Sequence, residues 1–128
     1  MSPAVYIAKA TRALAAARLL LKAGDTEGAC NRAYYAMHDA AHAALMATGY
    51  ESPDTMIKTH HGLIAAFGQR LVQSGQVDAE LGRAFNRVED IRLLADYSSE
   101  SPPVVEAEWC VDRAETFIAA IKARFSLA

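Results

Sequence analysis

The chain has 128 residues, enough for one hydrophobic core and too few for two domains of ordinary size. Hydrophobic residues make up 52% and charged residues 22%, a balance that excludes intrinsic disorder. A formal net charge of −2 excludes a global basic field, so any RNA or nucleotide contact must come from a local group of cations.

The first predicted helix runs from about Pro3 to Ala23 and ends at Gly24-Asp25, with Ala10, Leu14, Ala17 and Leu21 at helical spacing. Its opening, MSPAVYIAKATR, has no apolar run of signal-peptide length, and Arg18 and Lys22 interrupt the Ala/Leu run that follows. A second helix is predicted from about Glu27 to Thr48, closed by Gly49. The segment GYESPDTM is a loop, because Ser-Pro biases the backbone out of the helix. A third helix begins near Lys58-Thr59, with Thr59 as N-cap, and ends before Ser74-Gly75. The fourth starts from Asp78 as N-cap and continues to about Tyr97. SSESPP is a turn, with Ser101 capping and Pro102 or Pro103 in the first turn of a fifth helix that runs to about Phe125.

No segment alternates like a strand and no repeat is visible. Five helices with short connections predict an all-α, up-and-down bundle, a single domain over residues 1–128. No stretch reaches the roughly 18 apolar residues of a membrane span. Cys30 and Cys110 match no metal or redox spacing and are expected to be reduced thiols in a cytoplasmic protein.

Two helices depart from ordinary bundle chemistry. On the second, Ala33, Tyr34, Met37, Ala40, Ala41 and Ala44 share one side, which is expected to face the core. The other side carries Asn31, Arg32, Tyr35, His38, Asp39 and His42. A merely solvated face favours Glu, Lys and Gln, which form helix well. This face is either a site or subunit contact, or an ordinary exposed face. On the fourth helix Leu81, Phe85, Val88 and Arg92 form one stripe, so Arg92 is directed toward the bundle. Its guanidinium cannot lose a proton there and needs a carboxylate, carbonyl or phosphate. Asp96, one turn on, is the internal partner, leaving a structural ion pair or an anion-binding arginine held by Asp96.

His38-Asp39-Ala40-Ala41-His42 superficially resembles a zinc signature, but Asp occupies the general-base position and no third ligand follows. No metal and no cofactor is expected. His60-His61 lies at a predicted helix N-terminus beside Lys58, where backbone N–H groups favour anions. No phosphate loop, dinucleotide fingerprint or GxSxG pattern is present. Met37, Met46 and Met56 are expected in the core or under loops, and Trp109 and Phe117 are expected to be packing residues.

The runs NRAYYAMHDAAHAALMATG, KTHHGLIAAFGQRLVQSG, IRLLADY and AETFIAAI, taken together, resemble the HEPN domain family, in particular its small stand-alone prokaryotic members. The resemblance covers nearly the whole chain. It implies a HEPN-type helical bundle, a homodimer, and pairing with a small nucleotidyltransferase in two-gene toxin–antitoxin modules. Many members are metal-independent ribonucleases whose signature is an arginine followed, after four to six residues, by a histidine. Arg92 matches the arginine, but Tyr97, Ser98 and Ser99 occupy the histidine positions. RNA cleavage needs a group that exchanges protons near neutral pH, as histidine does and unperturbed tyrosine does not. A substitute would have to come from His38, His42 or His60.

Three readings follow. In the first the chain binds nucleotide or RNA in a module with a nucleotidyltransferase: Arg92 and Asp96 form the centre, and Asn31, Arg32, Tyr35, Lys58, His60 and Tyr97 line the cleft. In the second it is an active endoribonuclease toxin using Arg92 with His38 or His60. In the third its polar face is a non-catalytic dimer or partner contact.

Overall fold

Five α-helices and one π-helical segment build the protein in the computed structural model, which describes residues 2–127. They are α1 (Pro3–Lys22), α2 (Thr26–Ala47), α3 (His60–Ala66), the π-helical continuation Phe67–Val72, α4 (Ala79–Tyr97) and α5 (Val104–Phe125). No strand occurs among the described residues, and the fold is the expected all-α bundle.

The caps are written locally. Asp25 accepts a hydrogen bond from the Gly28 N–H at 2.8 Å and so starts α2 one residue after Gly24, at φ +87, has ended α1. Gly49, at φ +84, follows α2 in the same way. Thr59 accepts from the Gly62 N–H at 2.9 Å, which fixes where α3 begins and hence where His60 stands. The start of α5 differs from expectation: Val104 is its first residue, Pro103 holds the N-cap position at φ −60 and ψ 151, and no side chain caps it. Consecutive prolines explain this, because Pro103 forces Pro102 out of the helical region. Ser101 is then too far upstream to reach the first helical N–H groups.

α2 is the centre of the bundle and packs along α1, α5 and α4. Its Ala33, Ala36, Ala40, Ala43 and Ala44 are fully buried, as are Ala10 and Ala17 on the facing side of α1. Short side chains let these helix axes approach closely, so backbone and Cβ contacts replace large side chains there. The bulk sits on the other side of α2, where Phe67, Phe85 and Phe117 form a triangle of rings with centroids 5.1–5.7 Å apart. The π-helical segment serves this cluster. Its wider turn advances each residue by less than an α-helix does, so Leu63, Phe67 and Leu71 all remain buried on one face.

Cys30 and Cys110 are free, buried neighbours between α2 and α5. Phe117 is buried as expected, whereas Trp109 keeps 37% exposure at the bundle rim. Among the described residues no helix is long and apolar enough to cross a membrane.

Candidate functional site

Arg92 lies where the α4 stripe leaves the core. Leu81, Phe85 and Val88 are buried along that stripe, and the Arg92 side chain retains 11% exposure. A guanidinium this enclosed must be matched. Glu89, one turn earlier and 10% exposed, is its inner partner: Arg92 Nε donates to Glu89 Oε1 at 2.8 Å, and Nη2 lies in ion-pair contact with the same oxygen at 2.7 Å. On the other side Arg92 Nη1 donates to Asp96 Oδ2 at 2.9 Å, and Asp96 keeps 37% exposure. The predicted Arg92–Asp96 pair is thus present, but Glu89 is the inner partner. Glu89 lies three residues before Arg92 on the same helix, a spacing visible in the sequence.

The guanidinium plane also covers aromatic faces. Its carbon is 4.6 Å from the Tyr34 ring centroid and 5.9 Å from that of Tyr35. Arg32 lies over Tyr35 at 5.6 Å, so two cations stand within about 6 Å of that ring. His60 stacks on Tyr34 with centroids 5.3 Å apart and planes 10° from parallel. His38 lies 5.1 Å from His60 and 5.6 Å from Tyr35. Residues of α2, α3 and α4 therefore converge on one cluster of rings around Arg92.

The polar atoms within it are unevenly satisfied. The Tyr34 hydroxyl, His38 Nδ1 and His60 Nδ1 are buried without a hydrogen-bonding partner among the described residues. His60 Nδ1 is 3.6 Å from Glu89 Oε2, and His38 Nδ1 is 3.7 Å from Asp39 Oδ1, both too long for a good bond. Burial, then the neighbouring His38 and Arg92, lower the His60 pKa below its ordinary value of 6.5, which leaves the ring neutral near pH 7. Burial and the adjacent Glu89 carboxylate push the Tyr34 hydroxyl far above its usual range, so it stays protonated.

His42 was expected on the polar face, yet it is buried at 4% exposure. The loop after α2 folds back and carries Glu51, itself 3% exposed, against it. His42 Nδ1 is 2.7 Å from Glu51 Oε1, while Glu51 Oε2 accepts from the Ile57 N–H at 2.7 Å. Burial lowers the His42 pKa, so the neutral ring donates its Nδ1 proton to Glu51. His42 and Glu51 fasten the 49–59 loop to α2 and thereby help position His60.

Asn31 and Arg32 line a separate depression of about 360 Å³ with Asp96 and Glu27, beside the ring cluster. Lys58 is exposed, and Tyr97 is 87% exposed on the outer side of the last turn of α4. His61 is also exposed and lines a different groove with Gln69 and Asn86. The fold therefore brings together Tyr35, His38, His60, Arg92 and Asp96, sets Asn31 and Arg32 at one edge, and leaves Lys58 and Tyr97 outside the cluster. Among the described residues no three His, Cys, Asp or Glu side chains form a metal-ligand group.

Comparison with known proteins accords with this architecture. A model of the HEPN domain matches residues 4–124. A UPF0332 protein of Thermotoga maritima is 34% identical over 116 residues, covering 89% of this chain and 83% of its own. A protein of Methanocaldococcus jannaschii named "Putative toxin" is 33% identical over 109 residues, covering 85% and 78%. A UPF0332 protein of Gloeobacter violaceus is 36% identical over 89 residues, covering 70% and 67%. With the family match spanning all five helices, the chain belongs to the HEPN domain family.

Proposed function

We propose that this chain is a HEPN-type nucleotide- or RNA-binding protein that works as a cytoplasmic homodimer in a toxin–antitoxin-like module with a small nucleotidyltransferase. One observation carries the binding site: an arginine anchored from within by Glu89 and held from without by the half-exposed Asp96. Both partners are negative, so a phosphate reaches Arg92 by taking the place of Asp96, while Glu89 keeps the guanidinium oriented. Arg32, over the shared Tyr35 ring, supplies a second cation. The relative named as a toxin supports the module, and the nucleotidyltransferase and the dimer are what the family resemblance implies.

The test is binding of a labelled, structured RNA by wild-type protein and Arg92→Ala over a range of salt. Affinity that falls with salt and falls further in the variant supports the reading. Affinity identical in both proteins sinks it. The module is checked separately by mixing the purified chain with the product of an adjacent nucleotidyltransferase gene; no complex between them removes that part.

A second reading, cleavage of RNA, is favoured by the two histidines that meet 5.1 Å apart beside the Arg92–Tyr34 contact. They come from α2 and α3 rather than from the positions after Arg92. A neutral His60 can accept a proton, a partly exposed His38 can return one, and Arg92 can stabilise the added charge on phosphorus. Structured RNA incubated with wild type, Arg92→Ala, His38→Ala and His60→Ala decides it. Cleavage unchanged in all three variants would place the activity elsewhere.

A further inference from the structure

A second cationic site lies on another face of α4, away from Arg92. Arg87 precedes Arg92 by five residues, about 140° around the helix, so the two arginines serve different faces. α4 and α5 each pack chiefly on α2 and barely on one another, which leaves a cleft between them. Arg83 and Arg87, one turn apart on α4, line it from one side. Trp109, Arg113 and Thr116, on one stripe of α5, line it from the other. Its volume is about 270 Å³, and Trp109 also walls an adjoining depression of about 400 Å³ that contains Arg87 and Ile91.

The charges in this cleft are not balanced. Arg83 is paired with Glu80. Neither Arg87 nor Arg113 has an ion-pair partner among the described residues, although Glu106 shares the depression beside Arg87. Arg113 Nε is buried and makes no hydrogen bond among the described residues. Arg113 therefore has no internal acceptor at Nε among these residues, and with Arg87 it puts two unneutralised cations on the cleft walls, where an anion is favoured. Paired arginines suit the oxygens of a phosphate, and an exposed indole offers a flat face to a base.

We infer that the α4–α5 cleft is a second ligand site, which takes a phosphate on Arg87 and Arg113 with its attached base against Trp109. The ligand class is a nucleoside phosphate, either free or as one unit of an RNA strand. The site is independent of the Arg92 cluster and stands whether or not that cluster binds RNA.

Trp109 is the single tryptophan of the chain, so its fluorescence reports this cleft alone. The full-length protein is titrated with adenosine monophosphate, a short single-stranded RNA, inorganic phosphate and an acidic peptide, with excitation on the red edge of the indole band. Arg87→Gln, Arg113→Gln and Arg92→Gln are compared, and thermal melts confirm that each folds. The expected result is a saturable change with the nucleotide or the RNA. It weakens about tenfold in Arg87→Gln or Arg113→Gln, as loss of one charge-assisted bond requires, and persists in Arg92→Gln. A strand that binds at least about tenfold tighter than the mononucleotide identifies RNA as the source, and equal binding identifies the free nucleotide. No response to either, a response only to the acidic peptide, inorganic phosphate binding as tightly as the nucleotide, or equal responses in Arg87→Gln and wild type would each overturn the assignment. Because Arg87 is exposed, Arg87→Gln remains decisive if Arg113→Gln fails to fold.

Discussion

Glu89 holds Arg92 through a single oxygen: Oε1 accepts from Nε at 2.8 Å and lies 2.7 Å from Nη2, while Oε2 is turned toward His60 at 3.6 Å. One carboxylate thus stands between the arginine of α4 and the first residue of α3, bonded only to the arginine. Glu89→Ala strands an enclosed guanidinium with only Asp96 beside it. We expect a loss of about 2–3 kcal/mol in urea unfolding, together with weaker RNA binding, because Arg92 is no longer oriented. A variant as stable as wild type would remove Glu89 from its anchoring role.

Asp96 should behave in the opposite way. It is 37% exposed, and exposed pairs contribute about 0–1 kcal/mol. Asp96→Asn is expected to change stability by less than about 1 kcal/mol and to tighten RNA or phosphate binding, since the competing charge is gone. Weaker binding in Asp96→Asn would mean that the carboxylate positions Arg92 rather than occupying the phosphate's place.

Tyr34 offers a test of the buried hydroxyl. The oxygen lies near Glu89 but off hydrogen-bonding geometry, and nothing else among the described residues reaches it. Tyr34→Phe keeps the ring under Arg92 and removes the unmatched group. The expected outcome is unchanged or slightly raised stability, within about 1 kcal/mol. A loss beyond that range would show that the hydroxyl does bond to Glu89.

The buried histidines set the acid response. His42 and His60 have folded pKa values below 6.5, so the unfolded chain binds protons there more readily than the native one. Their contribution to stability is present above about pH 6.5 and lost as pH falls from there toward the lowered folded values. Urea midpoints should therefore drop between about pH 7.5 and pH 5.5. His60→Gln should flatten part of that drop, and a slope identical to wild type would exclude His60 from it.

Much of this was legible in the sequence, and the exceptions share a cause. Helix boundaries, the Thr59 and Asp78 caps and the inward direction of Arg92 follow from local chemistry. His42 lies on the polar side of the helical wheel, which carries no information on a loop that returns to cover it, and Glu51 has no mark within its own segment. Trp109, expected to pack, does so only in part. Its exposure depends on how far α5 stands from α4, which is a tertiary quantity.

α2 is sheathed by α1, α4 and α5 along a close-packed alanine seam, so Tyr34, Tyr35 and His38 stand on the most deeply enclosed helix. The opposite wall is built otherwise: His60 follows a loop moored at Glu51, and Asp96 belongs to the exposed last turn of α4. The ring cluster thus has one fixed jaw and one adjustable jaw. Ligand-dependent changes in amide exchange should concentrate in residues 49–60 and 93–100 and spare the middle of α2. A molecule arranged this way can accept ligands of different bulk without repacking its core, because the accommodation is confined to one side.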